Sequence, residues 1–128
     1  MIAGRPGRAT PRGAQWAAYL GPYPRAMPNT PLTFAGFQEL IRDRYYPTDS
    51  ARGTPGTFMW LIEEVGELAT ALQDNAKGKS PTAAQRANLE EEFADVIAWL
   101  TTIANIHAVD LERALRKYTH KTIEGVKD

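Results

Sequence analysis

The sequence predicts an all-α protein, a four-helix bundle, and three observations carry that reading. Apolar residues recur at spacings of three and four through almost every segment after residue 31. No stretch alternates apolar and polar residues in the way a half-buried strand would. Residues able to cap helices stand where the first, second and fourth periodic runs begin, with glycine or proline between runs.

Each element follows in order. Thr33 can cap a first helix whose apolar side is Phe34, Phe37, Leu40 and Ile41, ending near Tyr45-Tyr46-Pro47. Pro47 to Gly56 holds two prolines and two glycines and is expected to be loop. Thr57 can cap a second helix reaching about Lys77, with a stripe of Phe58, Leu61, Ile62, Val65, Leu68, Ala69 and Leu72. Gly78-Lys79-Ser80-Pro81 breaks it. A third helix runs from about Thr82 to Ile106, with Leu89, Phe93, Val96, Ile97, Leu100, Ile103 and Ala104 on one side. Asp110 caps a fourth, where Glu112 in the first turn complements the positive helix end and Leu111, Ala114, Leu115 and Tyr118 form the apolar face.

Between Ala94 and Ile106 only Asp95, Thr101, Thr102 and Asn105 are polar. So wide an apolar surface asks for burial on two sides. A body this small has one core, so the second face calls for another chain. A homodimer, or a homotetramer built from dimers, is expected; the alternative is that the N-terminal segment or the first helix covers that face.

The chain has 128 residues with 15 basic and 15 acidic groups, and no cysteine. Disulfide scaffolds, thiolate zinc sites and cysteine nucleophiles are thereby excluded. No run approaches the ~18 apolar residues that span a membrane. A net charge of zero gives no case for nucleic-acid binding. The charge is segregated, however. Residues 1–30 carry four arginines and no acid, leaving 11 basic and 15 acidic groups in residues 31–128.

Residues 1–31 hold six of the nine prolines and few apolar groups, so they are expected to form a disordered extension ahead of a helical domain over residues 32–128. Met27 could be the true start, or the leader could be a transit peptide. It lacks the apolar run of a secretory signal, and a cytoplasmic location is expected.

The acids cluster at Glu63-Glu64-Val65-Gly66-Glu67 and Glu90-Glu91-Glu92-Phe93-Ala94-Asp95. Glu64 and Glu67 lie three apart, as do Glu92 and Asp95, so each pair shares a helix face. Glu67 and Asp95 lie deep inside their helices, where the dipole gives an acid no reward, and both adjoin the apolar stripe. Antiparallel packing would bring four carboxylates to one level. No Lys or Arg stands within four residues of Glu64 or Glu67 to neutralise them. An all-oxygen set suits Mg²⁺ or Mn²⁺, which commonly bridge carboxylates to phosphates. Solvated helix faces are the alternative, and for Glu90 and Glu91 that alternative is the expected one.

These residues resemble the Glu-Glu-x-x-Glu … Glu-x-x-Asp signature of the MazG-like nucleotide pyrophosphohydrolases, of the all-α NTP pyrophosphatase superfamily. The 24 residues between Glu67 and Glu92 suit the family's separation. Ala104-Asn105, Val109-Asp110-Leu111-Glu112-Arg113-Ala114-Leu115 and Gly56-Thr57-Phe58-Met59-Trp60-Leu61 extend the likeness.

The resemblance implies hydrolysis of a nucleoside triphosphate to monophosphate and pyrophosphate. Glu64, Glu67, Glu92 and Asp95 would bind Mg²⁺, for which Mn²⁺ could substitute, and Glu63 would assist as an outer ligand or by orienting water. Lys117-Tyr118-Thr119-His120-Lys121 resembles the family's basic run, making Lys117 and Lys121 candidate phosphate contacts, although His120-Lys121-Thr122 stands where many members have arginine. Asn105 could contact base or sugar, or close its helix. Trp60 and Trp99 could stack a base or fill the core, and His107 reads as a helix-end residue. Phosphoribosyl-ATP pyrophosphatase and dimeric dUTPase or dCTPase are the neighbouring activities. A non-catalytic helical interaction module is the reading from another class.

Overall fold

The computed structural model describes residues 31–119. Helix α1 spans Phe34–Asp74, α2 spans Ala83–Ile106 and α3 spans Leu111–Leu115, followed by one 3₁₀ turn at Arg116–Tyr118. There is no strand among the described residues, as the periodicity requires. The expectations for residues 1–30 and for Lys121 lie outside them.

Two caps form where the sequence places them, and a third starts α2. The Thr33 hydroxyl accepts from Gly36 N at 3.0 Å, and Asp110 Oδ1 accepts from Arg113 N at 2.9 Å. Thr82 and Gln85 form a reciprocal capping box at the start of α2.

The expected loop over Pro47–Gly56 is instead helix, broken only at Gly53 (φ 74°, ψ 177°). The first two expected helices are therefore one kinked element. It ends at Asp74 rather than Lys77, with Asn75 as its cap. Packing overrides proline here. Ile41, Tyr45 and Asp49 recur every fourth residue and all are buried, which carries the helix across Pro47 despite the backbone bond that proline forfeits. Pro55 sits just after the break, where a first helical turn tolerates it. Thr57 is consequently no cap. It is fully buried inside the second half of α1, and its hydroxyl donates to Gly53 O at 2.8 Å.

The second half of α1 and α2 run antiparallel. At one end the Asn75 amide donates to Gln85 O at 3.1 Å; at the other Thr54 Oγ1 and His107 Nε2 lie 2.8 Å apart. Leu61, Glu64, Leu68 and Ala71 of α1 face Leu89, Glu92 and Trp99 of α2. The apolar stripe read from the sequence divides. Leu61 and Leu89 are buried, but Phe58, Ile62, Val65 and Leu72 are exposed, as are Phe93, Ile97 and Leu100. Trp99 is in the core, one of the two places the sequence allows it. Each packed seam thus lies one residue from the more apolar stripe, a rotation of about 100° around the helix.

Helix α3 docks through Gln38, whose side chain bridges three segments. Its amide donates to Asn105 Oδ1 at 3.0 Å and Val109 O at 2.6 Å, while its oxygen accepts from Leu111 N at 3.0 Å. Helix α2 ends with Ala108 N donating to Asn105 O at 3.2 Å and Val109 N to Ala104 O at 2.9 Å, around Ala108 at φ 53°. This is the terminus that glycine usually occupies.

Two backbone positions accordingly give opposite outcomes. Gly53→Ala forces a side chain into a conformation nearly reserved for glycine and should cost ~1–3 kcal/mol. Ala108→Gly removes a left-handed strain and should gain ~1 kcal/mol. Urea denaturation with unchanged m-values checks both signs.

Candidate metal centre

Helix geometry puts Glu64 and Glu67 one turn apart on α1, and the antiparallel seam sets Glu92 of α2 against them. One carboxylate oxygen from each lies within 4.8 Å of the others. That approaches the ~4.2 Å between opposite ligands of an octahedral ion bound at 2.1 Å. Glu64 is 2% exposed and Glu92 3%, while Glu67 is half-buried. Oε2 of Glu64 is buried and accepts no hydrogen bond. A buried acceptor left open, facing two more carboxylates, is a donor set that fits a hard divalent cation.

The electrostatics agree. Two full charges ~5 Å apart repel by roughly 3 kcal/mol at an effective dielectric near 20. Several such pairs rival the stability of a whole small domain. Burial first, then the charges of Asp95, Glu67 and Glu92, push Glu64 from 4.5 up to about 7, with the nearby Trp99 indole opposing the rise. Asp95 is pushed from 3.8 to about 6 by burial and by Glu91 and Glu67.

The other expected residues distribute as follows. Asp95 is half-buried and electrically coupled to Glu64 and Glu67, but is not in the tight group of three. Glu63 is half-buried on α1 and also outside that group. Trp60 stacks on Trp99 with centroids 5.9 Å apart and planes at 10°. Both polar groups of Asn105 engage Gln38, with Oδ1 accepting from its amide and Nδ2 donating to its carbonyl at 3.2 Å. His107 is the cap of α2. Lys117 is exposed, with Nζ 4.8 Å from the centre of the Tyr118 ring.

A second polar cluster was hidden by the expected loop. Asp49 is 4% exposed and receives Arg52 Nη1 at 3.1 Å; the guanidinium lies 5.3 Å from the centre of the Trp99 ring. Burial raises the Asp49 pKa against the opposing pull of Arg52 and of the neighbouring Thr102 hydroxyl. The signal was available in the sequence. Ile41, Tyr45 and Asp49 continue one helix face through Pro47, which the two prolines and two glycines obscured.

Raised carboxyl pKa values fix a pH dependence. Between its unfolded pKa and about 7, native Glu64 holds more proton than the unfolded chain does. Its contribution to stability is therefore complete at low pH and is lost as pH rises through about 7; Asp95 adds the same sign through about 6. In chelator, the melting temperature should fall between about pH 5 and about pH 8, and Glu64→Gln should flatten that fall. An equal slope in both proteins would show that Glu64 titrates as an ordinary surface acid.

The carboxylate geometry can be set beside known families. Comparison with curated proteins gives no match. The model of the MazG nucleotide pyrophosphohydrolase domain matches residues 54–127, more than half of the chain, and its span contains Glu64, Glu67 and Glu92 with the seam that joins them. The chain therefore belongs to the MazG nucleotide pyrophosphohydrolase family.

Proposed function

We propose that the protein is a Mg²⁺-dependent nucleoside triphosphate pyrophosphohydrolase, releasing a nucleoside monophosphate and pyrophosphate. The observation that carries this reading is the convergence of Glu64, Glu67 and Glu92 on one point of a MazG-family seam. Glu64, Glu67 and Glu92 would hold the ion, with Asp95 as a fourth ligand; Mn²⁺ would fit the same oxygens. The ion would supply charge to the phosphate oxygens and acidify water. Glu63 orients the attacking water and takes its proton at a carboxylate oxygen. Lys117 and Lys121 supply positive charge for the phosphates. Trp60 and Asn105 serve the nucleoside, and Asn105 keeps its bonds to Gln38 while it does so.

The proposed assembly is a homodimer, or a tetramer built from dimers, in which a second copy covers the outer stripe. Phe58, Ile62 and Val65 on α1, with Phe93, Ile97 and Leu100 on α2, support it, because exposed apolar side chains at helical spacing form a continuous face. No helix among the described residues is long and apolar enough to cross a membrane. A cytoplasmic house-cleaning role in the nucleotide pool is the proposed setting.

Two measurements test these readings. Incubation with a panel of canonical and oxidised triphosphates and Mg²⁺ should yield monophosphate and pyrophosphate, detected separately from orthophosphate. Orthophosphate with a remaining diphosphate, or no turnover of any nucleotide, would overturn the assignment. Light scattering should give at least twice the chain mass, and Ile62→Glu with Ile97→Glu should reduce it to a monomer. A wild-type monomer at micromolar concentration would remove the second copy.

A further inference from the structure

The segment that carries Lys117 has no core of its own. Helix α3 is five residues long, and neither it nor the 3₁₀ turn after it buries a side chain. Isolated helices shorter than ~12 residues are marginal in water, so something outside α3 has to hold it. Polar bonds to the first two turns of α1 do so. Gln38 Oε1 accepts from Leu111 N at 3.0 Å, and the Gln38 amide donates to Val109 O at 2.6 Å and to Asn105 Oδ1 at 3.0 Å. One half-buried side chain thus clasps the residues on either side of the Asp110 cap. One turn earlier in α1, Ala35 N donates to Glu112 Oε2 at 3.2 Å. Glu112 Oε1 in turn lies 3.6 Å from Arg116 Nη2, and Arg116 adjoins Lys117.

The place of these anchors matters as much as their number. Phe34 and Phe37, the residues just before Ala35 and Gln38, share an apolar groove with Ala94 and Ile97 of α2. Ala94 is the neighbour of Asp95. The part of α1 that holds α3 therefore borders the stretch of α2 that carries the second acidic pair. A cation already held in place binds phosphate without first losing the freedom of its segment.

We propose that Gln38 is a positioning residue for phosphate binding. It fixes α3 against α1 and so sets where Lys117 stands relative to the carboxylate seam, while touching no phosphate itself. This inference rests on the reading of Lys117 as a phosphate contact. It gives the bonds to Val109 and Leu111 a task separate from the orientation of Asn105.

The test is binding of magnesium tripolyphosphate, measured by isothermal titration calorimetry on full-length wild type, Gln38→Ala, Lys117→Ala and the double variant. The probe carries no nucleoside, so altered contacts of Asn105 with a nucleoside do not enter. Mn²⁺ affinity, from the electron paramagnetic resonance signal of the free ion, and melting temperature are recorded in parallel. Gln38→Ala and Lys117→Ala should each weaken tripolyphosphate binding by about tenfold with Mn²⁺ affinity unchanged, and the double variant should be no weaker than Lys117→Ala alone. If Gln38→Ala does not fold, Gln38→Met keeps the bulk without the bonds and should show the same loss. A glutamine that only supports the fold lowers the melting temperature and leaves tripolyphosphate affinity at the wild-type value, and that result overturns the inference. Additive losses in the double variant, or a fall in Mn²⁺ affinity in Gln38→Ala, also overturn it, since Gln38 would then act by another route. Wild-type affinity in Lys117→Ala, or no binding by wild type, shows that the phosphate reading has failed first, and the inference falls with it.

Discussion

Glu64 and Glu92 occupy positions in the α1–α2 seam where an ordinary helical pair would place leucines. They follow the same heptad-like spacing as Leu61, Ala71, Leu89 and Trp99, and they are as deeply buried. Two acids in such places repel each other and lose their hydration, and no lysine or arginine of the motif segments sits beside them. The seam around them accommodates that constraint. A proton or a cation must reach the seam, and other positions are filled by the stacked Trp60–Trp99 pair and by fully buried threonines. A seam of this kind is weak glue. Its apolar content is low, and the chain's larger apolar side chains stand one residue round each helix, facing outward.

The sequence showed the acids plainly because their spacing is local: three residues apart on one helix need no tertiary knowledge. Caps were legible at Thr33 and Asp110, which bond to amides within three residues, but not at Thr57, which lies buried inside α1. The face that packs was not legible. Hydrophobicity alone chooses Phe58, Ile62 and Val65 over Thr57 and Glu64, whereas the structure buries the polar pair and exposes the apolar three. A pattern that ranks residues by transfer energy assumes a core made by one chain. It fails where the inner face serves chemistry and the outer face carries the apolar surface.

The loop expected around Pro47 failed for a related reason. Two prolines and two glycines within ten residues are strong local signals, and the real break is confined to Gly53. Tertiary burial of Tyr45 and Asp49 outweighs one missing backbone bond, so the helix continues. The error had a cost for the site as well as for the fold. Treating Asp49 and Arg52 as loop residues removed them from any helix face, and their place against Trp99 became invisible.

The short connection between α1 and α2 has its own consequence. Asn75 braces it, donating to Ala71 O at 2.9 Å and to Gln85 O at 3.1 Å. Glu64, Glu67 and Glu92 therefore all belong to a single helical hairpin closed by a small loop, the kind of contact that forms early because little chain entropy is lost in closing it. Charge repulsion in this molecule therefore falls within the tertiary pairing that costs the least chain entropy to close. Protons or divalent cations in the surroundings then bear on how fast the hairpin closes, as well as on what the finished protein can do.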